Sequence, residues 1–231
     1  MTPRASFVIP AYNADRWISK TLWSCRNQII KQMEVIVIND GSTDGTQEII
    51  EWHASQDSRI KVCNQENKGR SAARNFGNSV AQSDLILVLD ADDMATRNRV
   101  KDTLAVFELK KPDFLYGSFF SVDAMGITKG KLVCSPFDPE VAKEKKLNYI
   151  CHSTVAYTKK LADSIYYEEG VYTKLGLDDW KFQWEVYRRG YKIQHIKNPL
   201  CYYRVTEDGT MGTRDPKAVE EAKDKYLAEI V

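Results

Sequence analysis

Short apolar runs that each close on a polar turn recur along the first hundred residues. Ser6-Phe7-Val8-Ile9-Pro10, Glu34-Val35-Ile36-Val37-Ile38-Asn39, Ile60-Lys61-Val62-Cys63 and Leu85-Ile86-Leu87-Val88-Leu89 have the length of strands. The unbroken aliphatic runs predict strands buried on both faces, as in a parallel sheet. Between them the spacing turns helical: Trp17, Ile18, Thr21, Leu22 and Cys25 share one face, and Ile49, Ile50 and His53 share another. A small-residue helix is expected from Gly69 to about Ala81, and one capped by Thr96 to about Lys110. Asn13 or Asp15 is expected to cap the first helix. Four strand–helix alternations predict a three-layer α/β unit whose right-handed crossovers bring every strand end to one edge. Tyr12, Asp40, the loop at 67–70, Asp90 and Asp92 would then face a common crevice.

The second half has a different rhythm. Phe114 to Val122 reads as a long antiparallel strand at the far side of the sheet, with Lys131-Leu132-Val133 as its hairpin partner. Residues 135–148 read as a polar loop carrying a helix, and 150–157 and 192–204 as further strands. Asp178 to Arg189 reads as a helix stopped by Gly190, and Asp215-Pro216 opens a last helix to about Glu229. With no repeat, low-complexity tract or clear linker, one domain over 1–231 is expected. Its first part would cover about 1–110 and its second, with the C-terminal helix, about 111–231.

Composition narrows the classes. At 231 residues, 43% hydrophobic and 28% charged, the chain can bury a sizeable core. A net charge of +1 gives no global field for nucleic acid or an anionic membrane, and the Lys143–Lys146 and Lys159-Lys160 runs read as solvated faces. Five scattered cysteines without a CxxC pair argue against a disulfide framework or a structural zinc, and suggest a cytoplasmic setting. No apolar stretch reaches the ~18–20 residues of a membrane span, so any membrane association would be peripheral.

Chemistry concentrates at the strand ends. Leu89-Asp90-Ala91-Asp92-Asp93 puts three carboxylates within four positions straight after a buried run. Unpaired buried carboxylates are expensive, so the acids belong at the strand tip. There they can bind a hard divalent cation, or they form a solvated turn that caps the next helix. Asn39-Asp40-Gly41-Ser42-Thr43-Asp44-Gly45-Thr46 is either a base- or ribose-binding turn or a well-capped βα loop. Arg70 and Arg74, one turn apart behind Gly69, suit a phosphate or a nucleobase carbonyl; the alternative is an ion pair to Asp or Glu. Asp178-Asp179 caps a helix or supplies a general base. Trp180 and Trp184 share a helical face and favour core packing over sugar stacking, and His195 reads as a packed or surface histidine.

Taken in order, Val8-Ile9-Pro10-Ala11-Tyr12-Asn13, then Asn39 to Thr46, then Asn67-x-Gly69-x-x-x-Ala73-Arg74-Asn75-x-Gly77, then Leu89-Asp90-Ala91-Asp92-Asp93 closely resemble glycosyltransferase family 2. The resemblance is strongest over residues 5–100 and looser to about 205. It implies a GT-A fold: a mainly parallel central sheet flanked by helices, with a smaller antiparallel element on the acceptor side. It also implies a nucleotide-sugar donor, commonly a UDP-sugar, a divalent metal (Mn²⁺ or Mg²⁺) and an inverting mechanism. Carried over by position, Pro10, Ala11, Tyr12 and Asn13 would hold the nucleobase, with Tyr12 on its face. Asp40 would hydrogen-bond the base, Gly69, Arg70 and Arg74 would serve the base or a phosphate, and Asp90 and Ala91 would lie by the ribose. Asp92 would bind the metal, with Asp90 beside it; on the residues alone, Asp93 reads as the cap of the next helix. Asp179 would be the catalytic base, with Asp178, Trp180 and Arg204 supporting the acceptor side. Two departures stand out: Asp178 where relatives show Glu, and Thr206 where they often show histidine two residues after the arginine; the latter leaves open what the 202–209 loop does for metal or diphosphate. The acceptor would be a surface glycan, lipid-linked or otherwise, at the inner face of a membrane. The alternatives are a soluble acceptor, such as protein or hydroxylated DNA bases, and a non-catalytic nucleotide-sugar-binding protein.

Overall fold

The computed structural model describes residues 2–146, 150–206 and 215–230. The four apolar runs become β1 (Ser6–Ala11), β2 (Glu34–Asp40), β3 (Ile60–Gln65) and β4 (Leu85–Val88), side by side and parallel in the order β3-β2-β1-β4. Helices α1 (Ile18–Arg26), α2 (Thr46–Gln56) and α3 (Arg70–Val80) make the crossovers. Period-two alternation sends Phe7, Ile9, Leu85 and Leu87 to one face of the sheet and Val8, Ile86 and Val88 to the other. The first face packs on Ile18, Leu22 and Ile50, the second on Ala73. Gly77 makes the second contact possible, since a Cβ there would stand 2.5 Å from Val8 Cγ1 and 2.7 Å from Ile38 Cδ1.

The rest of the chain extends the sheet. In order come β5 (Met94–Ala95), α4 (Arg99–Lys110), β6 (Phe114–Val122), β7 (Thr128–Leu132), α5 (Pro139–Glu144), a 3₁₀ turn at His152–Thr154, and β8 (Ala156–Thr158). Then follow α6 (Lys159–Ala162), α7 (Val171–Lys174), α8 (Asp178–Arg188), β9 (Ile193–Arg204) and α9 (Pro216–Glu229). The full order is β3-β2-β1-β4-β8-β6-β9-β5, and β7 forms a hairpin on β6. Beyond β4 the sheet turns mixed: β8 is antiparallel to both β4 and β6, whereas β6 and β9 are parallel. The mainly parallel α/β sheet with an antiparallel element is therefore as expected.

Several local expectations are corrected. β6 is an interior strand, antiparallel to β8 and β7 but parallel to β9. Much of the stretch at 150–157 is a 3₁₀ turn, with only Ala156–Thr158 as strand. Neither Asn13 nor Asp15 caps α1, and Asn98, not Thr96, precedes α4. The Thr96 hydroxyl instead donates to Pro199 O and Leu200 O, at 3.2 and 3.4 Å. Residues 147–148 and 207–209, the ends of two stretches singled out above, lie outside the described residues.

A third cluster holds the C-terminal helix. Trp180 and Trp184 on α8 pack against Tyr226 and Leu227 on α9, with Ala142 of α5 and Leu177. Core packing is thus the role of both tryptophans, and Trp180, only 1% exposed, has no face left for a sugar. His195 packs on Tyr116, with ring centroids 5.1 Å apart. All five cysteines are free thiols. No helix among the described residues is long and apolar enough to cross a membrane.

Candidate functional site

The crevice opens where β1 and β4 part. Their ladder ends with Leu89 N–H donating to Val8 O at 3.2 Å. By alternation the next β1 residue turned toward β4 is Pro10, which has no N–H to continue the ladder. Past that point the chain runs through buried Ala11 to Tyr12, which is 49% exposed. Asn13 sits at φ +47 and locks this loop to the one after β2: its Oδ1 accepts from Thr43 N at 2.8 Å and its N–H donates to Ser42 Oγ at 3.1 Å. Ala14 N donates to Thr46 Oγ1 at 2.7 Å. Tyr12 therefore projects from a braced turn.

Asp40, at the tip of β2, is buried and organises the next loop. Its Oδ1 accepts from Gln65 Nε2 at 2.7 Å and Lys68 N at 2.8 Å, and its Oδ2 from Gly69 N at 2.9 Å. The loop closes so tightly that a Cβ on Gly41, at φ +71, would lie 2.8 Å from Asn67 N. Gly69, at φ +88, turns the chain into α3. This aims Arg70 and Arg74 at α8. Arg70 Nε donates to Asp178 Oδ1 at 2.8 Å, and Arg74 Nη1 to Asp178 Oδ2 at 2.5 Å. Arg74 Nη2 then reaches Asp90 Oδ1 at 2.6 Å. Both arginines thus take the ion-pair option, and Arg74 is nearly buried beneath its two carboxylates.

The three acids after β4 differ sharply. Burial alone would raise Asp90, but the Arg74 guanidinium beside it holds its carboxyl below the usual range. Its N–H is fixed by Ser153 Oγ at 3.1 Å. Asp92 forms no ion pair among the described residues, and burial together with the Asp90 charge pushes it up to about 6. Asp93 is no helix cap. It is 1% exposed and its Oδ1 accepts from Arg204 N at 2.7 Å, while burial and then the Asp92 charge push it well above the usual range.

Arg204, at the end of β9, threads under this turn. Its Nε donates to Asp92 O at 2.8 Å and its Nη1 to Asp123 O and Ala124 O at 2.9 Å, while its guanidinium carbon lies 4.3 Å from the centre of the Trp17 ring. On α8, Asp178 is buried between the two arginines, and Asp179 on the same first turn is half-buried with Oδ1 accepting from Trp180 N at 2.7 Å. One guanidinium thus joins the acids of β4 to those of α8.

Sequence reasoning missed the support beneath Asp90. His152 is neutral: burial, then the Arg74 charge, push it down to about 3, and its Nε2 lies 2.9 Å from Tyr167 Oη. Ser153 holds the Asp90 amide, and Tyr167 lies under Arg74 with its ring centre 5.4 Å from the guanidinium carbon. The polar run Cys151-His152-Ser153-Thr154 inside an otherwise apolar stretch is the signal that marks them. Trp17, treated above only as a core position, is the platform for Arg204.

The family model described as glycosyl transferase family 2 matches residues 6–166. Glycosyltransferase GlyG of Streptococcus pneumoniae is 33% identical over 124 residues, which is 53% of this chain and 41% of that protein. The crystal structure of S. aureus TarS 1-349 in complex with UDP-GlcNAc superposes with a TM-score of 0.77 at 24% identity, over 98% of this chain and 66% of that one. The mannosyltransferase PcManGT of Pyrobaculum calidifontis, in complex with GDP-Man and Mn²⁺, superposes with a TM-score of 0.69 at 17% identity, over 98% of this chain and 70% of that one. These likenesses establish the GT-A fold. The chain spans well under half the length of the curated relative.

Proposed function

This chain belongs to glycosyl transferase family 2, and we propose that it moves a sugar from a nucleoside-diphosphate sugar to an acceptor hydroxyl with inversion at the anomeric carbon. The observation that carries the reading is the Asp90–Arg74–Asp178 bridge, which draws the β4 acids and the first turn of α8 to one crevice. Tyr12 supplies an exposed aromatic face for the base, and the loop braced by Asp40 lines the adjacent edge. A UDP-sugar is the favoured donor, supported by the likeness to a protein that binds UDP-GlcNAc.

The residues present fit a divalent cation. Asp92 is a partly buried carboxylate without a cationic partner among the described residues, and the negative charge of Asp90 disfavours its ionised form. A cation would relieve both penalties. Among the described residues no group of three His, Cys, Asp or Glu side chains could hold a metal by themselves. The remaining ligands would be diphosphate and water oxygens, as suits Mg²⁺ or Mn²⁺. Asp92 would hold the ion, with Asp90 alongside on the oxygen that Arg74 leaves. When bound, the ion supplies charge neutralisation for the departing diphosphate.

Asp179 accepts the proton of the acceptor hydroxyl while the hydroxyl oxygen bonds to C1 of the sugar. The bond from C1 to the phosphate oxygen breaks, and its electron pair leaves on the nucleoside diphosphate. Asp178, pinned by Arg70 and Arg74, fixes the turn that carries Asp179; Trp180 anchors that turn in the core. Arg204 holds the Asp92 backbone in place. A surface glycan is the favoured acceptor class. A nucleic-acid acceptor is less well supported, because Lys146 is already neutralised by Glu220 and Asp224, and Lys159 by Asp163.

The test is the anomeric configuration of the product. With an α-linked UDP-sugar, the new glycosidic bond is expected to be β by its proton coupling; an α-linked product would overturn the single-displacement assignment.

A further inference from the structure

Apolar side chains face solvent along one rim of the crevice. Met125 and Ile127, in the turn between β6 and β7, are 72% and 60% exposed, and Leu132 and Val133 at the far end of the hairpin are at least half exposed. Every residue of β7 is exposed. Beside the turn runs the outer face of α1, where Trp23 is 57% exposed one helical turn beyond Lys20.

The turn holds these side chains outward. Asp123 Oδ1 accepts from the N–H groups of Met125 at 3.0 Å and Ile127 at 2.9 Å, and Gly126 supplies a φ of +87. From inside, Arg204 Nη1 donates to Asp123 O and Ala124 O; from the side, Lys20 Nζ donates to Met125 O at 3.3 Å. A turn fixed on both flanks cannot fold its apolar tip back onto the protein. Basic groups flank it: Lys20, which reaches Met125 O, on one side, and Lys129 and Lys131 of β7 on the other. Across α1 and residues 123–133 the sole acid is Asp123, and Lys129 already pairs with it at 2.8 Å.

We infer that this rim docks on an anionic lipid bilayer. The Met125–Ile127 turn enters the headgroup boundary, Trp23 lies at the interface, and Lys20 and Lys131 meet the lipid phosphates. Charge complementarity selects this occupant over a second copy of the chain. Two copies joined along β7 would set Lys129 and Lys131 against their own kind, and lysines on a sheet edge oppose such pairing. Arg204 connects the turn to Asp92 O, so docking sets the crevice mouth at the membrane surface, where a lipid-borne hydroxyl would enter. That last consequence rests on the transfer reading above; the docking does not.

Flotation of the whole chain with vesicles of phosphatidylcholine, alone or mixed with phosphatidylglycerol, tests the inference. The protein is expected to float with the anionic vesicles, less so as salt is raised, and to remain behind with neutral ones. The Met125→Ser/Ile127→Ser double variant is expected to lose about tenfold or more in partitioning, tenfold being ~1.4 kcal/mol and less than one fully buried side chain contributes. Lys131→Gln is expected to lose about fivefold, in line with the ~1 kcal/mol typical of one basic residue at such a surface. Both variants alter exposed positions and are expected to keep the parent's circular dichroism and nucleotide binding. Failure of the parent to float, or equal flotation of the double variant, would overturn the docking while leaving nucleotide binding intact. A dimer in sedimentation that the double variant splits would assign the rim to a second copy instead. Loss of nucleotide binding by the parent would count against the transfer reading alone.

Discussion

Arg74 Nη1 lies 2.5 Å from Asp178 Oδ2, across 104 residues of chain, with both side chains almost wholly shielded from water. Its other terminal nitrogen holds Asp90. Two carboxylates therefore share one cation, and removing it strips Asp90 of its ion pair and leaves buried Asp178 with Arg70 alone. Breaking a buried ion pair typically costs 3–5 kcal/mol. Arg74→Met is expected to lower unfolding free energy by about that amount in urea titration; a loss below about 1 kcal/mol would contradict the account. Arg74→Lys is expected to recover only part of it, because an ammonium cannot span both acids as a planar fork does.

Glu34 gives the pH dependence. Its carboxylate accepts from Ser6 Oγ at 2.6 Å, Lys61 Nζ at 2.7 Å and Gln82 N at 2.7 Å. Burial alone would raise it, but these hydrogen bonds and the Lys61 charge hold it below its ordinary value of 4.5. A group depressed on folding contributes stability above its unfolded value, and that stability is lost as pH falls through the folded one. Glu34→Gln is therefore expected to be less stable than the parent at about pH 7 and to lose less between about pH 5 and pH 3. Urea titrations at the three pH values check this, and parallel profiles for the two proteins would contradict it.

Asp179→Asn separates binding from chemistry. The amide keeps the shape of the helix turn but cannot take a proton from the acceptor. Donor affinity by calorimetry is expected to stay within about twofold, while transfer falls by roughly 10²–10⁴-fold or more. Full transfer by the variant would place the base elsewhere.

The parallel half of the sheet was legible because its signals are local. Leu85 to Val88 is apolar without alternation and is buried on both faces, and the strand ends fall where Pro10, Asp40 and Asp90 interrupt the runs. The ordered motifs also pointed to the family, whose model covers most of the chain. The less legible parts depend on distant partners. β5 is two residues long and exists because Met94 and Ala95 pair with Tyr202 and Cys201. Thr96 and Asp93 carry capping side chains, but Leu200 O and the Arg204 amide claim them instead. The spacing of Arg70 and Arg74 put both on one face, yet nothing local to α3 announced that Asp178 would meet them there. The composition of 150–157 suited a strand, whereas support for the Asp90 amide bends it into a turn.

Metal-dependent nucleotide binding follows if Asp92 anchors a divalent cation to which a nucleoside diphosphate binds. Calorimetric titration of UDP into the protein with Mn²⁺, with EDTA, and into Asp92→Ala with Mn²⁺ tests it most directly. Saturable binding is expected in the first case, with affinity at least about tenfold weaker in the other two, a difference of ~1.4 kcal/mol. Equal affinity with Mn²⁺ and with EDTA, unchanged in Asp92→Ala, would contradict it.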